Sequence, residues 1–213
     1  MEIVWLGHSC FRLRAREAVV ITDPCPKSTG YSMGRPTADI VTVSHDHEGH
    51  SAVQGVAGSP RVVRGPGEYE MAGVLMAGIR TYHDNQRGAQ WGTNTAFIIE
   101  AENLRFCHLG DLGHLPTPEQ VETMGGIDVL LVPVGGGNTL DAATAAETVS
   151  LLEPRLVLPM HYATPASTRP LEALDRFLKE MGASSTAAPL PRLSVSRSTL
   201  PHETQVTILD YKR

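Results

Sequence analysis

Short apolar runs rich in valine, isoleucine and leucine recur along this chain, separated by polar or glycine- and proline-bearing links. Residues 2–6, 10–15 and 18–22 alternate or run apolar, and their spacing predicts three strands of an antiparallel meander. The third ends at Thr22-Asp23-Pro24, where proline stops the ladder and leaves Asp23 at a strand end. Residues 24–38 are rich in Pro, Gly and Ser and read as a loop able to overhang a pocket. An apolar β-branched run, Ile40 to Val43, follows, and Ser51 is placed to cap a short helix over Ala52–Val56. Further strands are predicted at 61–64, 68–72 and 74–82, and a hairpin at Thr95–Glu100 and Leu104–His108. Thr117 and Pro118 open a short helix by a cap and a first-turn proline. Asp128–Val134 and Leu156–Pro159 read as buried strands, Leu140–Leu152 and Pro170–Met181 as helices, and 193–197 and 204–210 as closing strands. No repeat or linker divides the pattern, which predicts one domain over residues 1–213.

Chemistry collects where the apolar runs stop. Ile40–Val43 runs into Ser44-His45-Asp46-His47-Glu48-Gly49-His50. Side chains two apart on an extended chain face the same way, so His45 and His47 share a direction, and Gly49 lets the chain turn so that His50 comes back toward them. Three converging imidazoles suit zinc or a similar divalent ion. Val74–Tyr82 ends at His83, Leu104–Cys107 leads to Asp111, and Leu156–Pro159 ends at Met160-His161. Six N and O donors (His45, His47, His50, His83, Asp111 and His161) are enough for two ions if Asp111 is shared, an arrangement that acidifies a water between them. His114 is a candidate proton donor to a leaving group. Asp23 is a candidate partner that orients a ligand histidine. Asn94 and Gly135–Gly137 are candidates for shaping the substrate side.

Composition narrows the partners. The net charge is −5, without the lysine or arginine cluster a nucleic-acid surface usually shows, so a small molecule is the expected substrate. Cys10, Cys25 and Cys107 are odd in number and form no CxxC pair, which predicts reduced thiols. The chain opens on the strand-like Glu2–Leu6, and no run approaches the ~18–20 apolar residues of a membrane span. The expectation is a soluble cytoplasmic protein without membrane contact, with self-association into a homo-oligomer left open.

SHDHEGH, CHLGDLGH and VLPMH resemble the metallo-β-lactamase superfamily, and specifically its branch of metal-dependent hydrolases related to ascorbate-6-phosphate lactonase. WLGHSCFRL, GPGEYEMAGV, GTNTAFIIE and DVLLVPVGG follow that branch in order and spacing, so the resemblance covers nearly the whole chain. It implies an α/β fold, a four-layer αββα sandwich of two mixed sheets with metals at one edge. It also implies a metal-dependent hydrolase acting on a small polar metabolite, with a lactone, ester or amide favoured over a phosphodiester. One or two divalent ions are implied, zinc first, with manganese or iron as alternatives. His45, His47 and His83 would hold the first ion, His50 and His161 the second, and Asp111 both.

One position departs from that pattern. The family motif reads His-x-His-x-Asp-His, and its Asp serves the second metal; here Gly49 stands in its place. The expectation is a weakened second site, filled in part beside a full first one. A degenerate member that binds metal with little or no turnover is the alternative.

Overall fold

The structure is a computed structural model that describes residues 1–183 and 188–211. Its first sheet contains β1 (Glu2–Gly7), β2 (Cys10–Arg14), β3 (Val19–Thr22), β4 (Ile40–Val43), β5 (Arg61–Arg64) and β12 (Leu193–Ser194), in the order β12-β1-β2-β3-β4-β5. The second contains β6 (Gly67–Met71), β7 (Val74–Tyr82), β8 (Thr93–Ala101), β9 (Leu104–His108), β10 (Val129–Pro133), β11 (Leu156–Met160) and β13 (Gln205–Val206), in the order β13-β11-β10-β9-β8-β7-β6. Both are mixed. The meander β1-β2-β3 is antiparallel and β3-β4-β5 parallel; β6 to β9 are antiparallel and β9, β10, β11 and β13 parallel.

Alternation along the strands assigns the faces. Ile3, Trp5, Phe11, Leu13, Val20 and Ile40 belong to the main core shared with the second sheet. Their neighbours Val4, Leu6, Cys10, Ile21 and Val41 point the other way into a smaller cluster. That cluster is closed by Cys25, Tyr31, Met33 and Val56 from loops carrying two single 3-10 turns, Lys27–Thr29 and Val53–Gly55. The outer layer on this side is therefore irregular. On the other side α1 (Pro118–Met124) packs on β7, and α2 (Ala142–Leu152) on β10 and on α3 (Leu174–Glu180). No helix among the described residues is long and apolar enough to cross a membrane.

Four predicted elements shrink, the two helices for local reasons. The helix over Ala52–Val56 is one 3-10 turn, and Ser51 Oγ donates to the carbonyl of His47 rather than capping it. The helix expected from Pro170 begins at Leu174, because Glu172 is pinned by backbone bonds to Gly135 and Ala163. The closing strands are two residues each. By contrast, Thr117 caps α1 and Pro118 opens it as expected, and Gln120 makes the cap reciprocal.

Candidate metal centre

The loops beyond β1, β3, β4, β7, β9 and β11 meet at one edge of the sandwich. The parallel pairing of β3 with β4 puts Asp23 beside Ser44, and that of β9, β10 and β11 brings Asp111 and His161 level. Asp111 stands at the centre. Its Oδ2 lies 3.1 Å from Nε2 of His50, 3.2 Å from His83, 3.6 Å from His161 and 3.8 Å from His45. Ligand-capable atoms of His45, His47, His83 and Asp111 all fall within 4.8 Å of one another, which is the first set implied by the sequence resemblance. His45 and His47 turn inward while Asp46 and Glu48 between and after them are exposed, an alternation kept in the bend and turn that follow the end of β4 at Val43. Glu48 accepts from Ser28 Oγ, away from the cluster.

A second group contains a residue that the motifs did not assign. His8, His50 and His161 also have ligand-capable nitrogens within 4.8 Å of one another. His8 lies at the β1–β2 turn, within the WLGHSCFRL stretch, and a Gly-His-Ser tripeptide carries no metal-ligand spacing of its own.

Hydrogen bonds set which nitrogen each ring offers. His83 Nδ1 bonds the carbonyl of Asn138 at 2.9 Å. His50 Nδ1 bonds Asp23 Oδ2 at 2.9 Å, and His45 Nδ1 bonds Ser44 Oγ at 2.9 Å. The Ser44 hydroxyl in turn donates to Asp23 Oδ2 at 2.6 Å. Asp23 is thus the orienting carboxylate considered above, and three rings have Nδ1 occupied with Nε2 left for the interior. Its oxygens already accept from the Ser44 amide, the Ser44 hydroxyl and His50, so it serves from behind the ligands.

The Asp111 loop is braced by Asn94, whose Oδ1 accepts the Asp111 amide while its Nδ2 donates to Thr81 Oγ1 and the Leu109 carbonyl. Asn94 is buried, so its part is support for this loop rather than contact with a substrate. Gly110 has φ +58°, and a Cβ there would sit 2.4 Å from Asn94 Oδ1. Gly135 serves similarly: a Cβ would meet the His161 carbonyl at 2.1 Å. His8, Asp23 and His161 are non-glycine residues held at φ +55°, +37° and +52°. Left-handed backbone at three positions around one cluster is the kind of strain that structures hold at functional sites.

Donor chemistry fits a metal. Among buried polar side-chain atoms without a hydrogen-bond partner are His8 Nε2, His45 Nε2, His161 Nδ1 and Asp111 Oδ1, all in this cluster. Such atoms are costly to bury unless something binds them. Burial, then the charge of His50, pulls His45 down to about 3, and burial pulls His161 down to about 4. Burial also acts to lower His50, but Asp111 and then Asp23 outweigh it and raise the ring to about 10. Burial opposes ionisation of Asp111 too, yet His161, His50 and His83 hold its carboxyl well below the usual range. The result is one anion among rings, most of them neutral with a lone pair available.

A cleft of about 410 Å³ opens beside His83, walled by Trp91, His114, Asn138, Thr139 and Asp141. Its Trp91 loop is wound around Asp84, whose carboxylate accepts the amides of Gln86, Gly88, Gln90 and Trp91. His114 lines this cleft with both ring nitrogens engaged: Nε2 accepts the Tyr82 amide and Nδ1 bonds the Leu115 carbonyl. Outside the residues that line this cleft, the exposed Arg169 comes within 3.6 Å of the Cβ position of Gly49. His108 and Cys107 lie in the core, His108 bonded to the Ser9 carbonyl and the Cys107 thiol pushed up to about 12 by burial. The three cysteines are free thiols.

The profile of the β-lactamase superfamily domain matches residues 2–161. A UPF0173 metal-dependent hydrolase of Nitratidesulfovibrio vulgaris is 31% identical over 195 residues, covering 76% of this chain and 80% of the relative. A UPF0173 protein of Pyrococcus furiosus is 30% identical over 201 residues, covering 85% and 90%. A crystal structure from Thermotoga maritima, described as a candidate zinc-dependent hydrolase of the metallo-β-lactamase superfamily, superposes with a TM-score of 0.79 at 37% identity, over 98% of each chain.

Proposed function

This chain belongs to the metallo-β-lactamase superfamily, in its UPF0173 branch, and from that premise we propose that it hydrolyses a small polar metabolite at a lactone, ester or amide carbonyl. The observation that carries the reading is the placement of Asp111 Oδ2 within 3.8 Å of Nε2 on four histidines, beside an open cleft. His45, His47, His83 and Asp111 would hold one divalent ion, and His50 and His161 with Asp111 the other. Zinc is the ion proposed, because an imidazole-rich set with one carboxylate suits it better than calcium or magnesium. Ions held there supply a Lewis acid for a substrate oxygen and acidify a water at neutral pH.

The protein's own residues do the rest. Asp23, Ser44 and Asn138 fix the ligand rings so that little rearrangement accompanies reaction. Trp91 and Asn138 offer an apolar face and an amide to the substrate in the cleft. Arg169 is hydrogen-bonded through its backbone alone among the described residues, so its guanidinium is available to an anionic group on the substrate. A phosphodiester is the second choice of bond. The absence of a basic track, with net charge −5, favours a small substrate over nucleic acid.

The test is turnover by zinc-, manganese- and iron-loaded protein on lactone, ester, amide and phosphodiester panels. Chelation should abolish the activity, and Asp111→Asn should lower kcat/KM by about 10²–10³-fold or more, the scale of losing one preorganised charge-stabilising group. Metal-loaded protein that turns over nothing on any panel would instead identify a metal-binding member without hydrolase activity.

A further inference from the structure

Gly49 stands where the family motif carries a carboxylate, and its surroundings explain why. It is not among the glycines with positive φ, so its backbone conformation is open to any residue. Space is what constrains it. A Cβ built at position 49 would meet His8 Nε2 at 3.0 Å and His8 Cδ2 at 3.4 Å, closer than side chains normally tolerate. The imidazole of His8 therefore crowds the start of any side chain at position 49 and would have to give by a few tenths of an ångström to admit one.

His8 is held there firmly. Its ring is buried, with centroids 4.8 Å from His50 and 4.5 Å from His161. Its Nε2 has no hydrogen-bond partner. Its carbonyl accepts the Trp5 indole N–H at 3.0 Å and the His161 amide at 3.2 Å, which ties the left-handed β1–β2 turn to the end of β11. A buried ring with one nitrogen unpartnered, in a residue that offers a ligand atom within 4.8 Å of those of His50 and His161, is a metal-ligand position.

We propose that His8 is a ligand of the second metal ion, standing in for the missing carboxylate at position 49, so that His8, His50, His161 and Asp111 make up that site. The second site is then complete rather than weakened. The exchange replaces an anionic oxygen donor with a neutral nitrogen, which favours zinc or cobalt(II) over manganese(II). This rests on the metal-centre reading above and is independent of hydrolysis: absence of turnover would leave it standing.

The test is a two-by-two set of variants read by metal stoichiometry and affinity with zinc and cobalt(II). Wild type is expected to bind two ions per chain. His8→Asn, chosen because asparagine tolerates left-handed backbone, should keep the first ion and bind the second at least about 100-fold more weakly, beyond the loss typical of an outer-shell partner. Gly49→Asp in the wild-type background should fail to strengthen the second site, because it competes with His8 for one space. The same change in the His8→Asn background should restore the second ion. Wild type saturating at one ion, unchanged second-ion affinity in His8→Asn, or a gain from Gly49→Asp with His8 present would each overturn the proposal. Should His8→Asn not fold, the zinc-loaded wild-type crystal decides: His8 Nε2 at about 2.0–2.1 Å from the second zinc supports it, and a longer separation overturns it.

Discussion

Asp23 Oδ2 lies 2.9 Å from Nδ1 of His50, and the same oxygen accepts the Ser44 hydroxyl, which in turn bonds Nδ1 of His45. One buried carboxylate thus sets the direction of a ring from each metal set. Asp23→Asn keeps the volume but places an amide among donors. It should weaken binding of both ions by about 10–100-fold, measured by competition with a chromophoric chelator, while the fold survives. Equal affinity in the variant would show that Asp23 only stabilises its strand end.

Metal uptake should release protons. His50 is raised to about 10 by Asp111 and Asp23 against the effect of burial, so without metal it carries a proton at neutral pH that a cation must displace. Calorimetry in buffers of different ionisation enthalpy should show about one proton or more released on filling the centre near pH 7.5. His45 and His161, lowered mainly by burial, add nothing to that release because they are already neutral.

The same groups shape the stability of the metal-free protein. His45 at about 3 and His161 at about 4 lie below their unfolded value near 6.5. Between those limits the unfolded chain binds more protons, so stability should rise with pH up to about 6.5. His50 has the opposite sign: its contribution is full below about 6.5 and is lost as pH climbs through about 10. Thermal unfolding of metal-free protein should therefore be most resistant near pH 6.5. A midpoint that increases steadily from pH 6.5 to 10 would contradict this.

Asp84 organises the wall of the cleft. Desolvation opposes its charge, but the amides of Trp91, Gln86, Gly88 and Gln90 prevail and set its carboxyl at about 2. Its hold on the loop is complete above the usual carboxylate range and fades as pH falls from about 4 through 2. Asp84→Asn faces two amides with an NH₂ group that cannot accept them. Trypsin should then cut faster after Arg87, and KM should rise on the order of tenfold through a misplaced Trp91, with a smaller change in kcat.

Arg169 should separate substrates by charge. Arg169→Ala should raise KM by about tenfold for substrates with a carboxylate or phosphate group, the value of one charge-assisted hydrogen bond, and leave neutral analogues nearly unaffected. Equal losses on both would mean that the residue acts through packing.

Local physics made much of this protein legible in its sequence. Strand periodicity and breakers located β1 to β11, and the two-residue repeat of a strand predicted that His45 and His47 share a direction. Apolar runs stopping at His83, Asp111 and His161 marked the edge where the centre forms. What a sequence pattern lacks is the identity of distant neighbours. That Asp23 reaches His50, that Asn94 braces Asp111 and that Glu172 delays α3 follow from strand pairings and loop contacts between remote segments. Gly49 shows the limit best: along the chain it is a missing carboxylate, and only the strand order of the first sheet, which carries both the β1–β2 turn and the loop after β4, brings the ring of His8 against it.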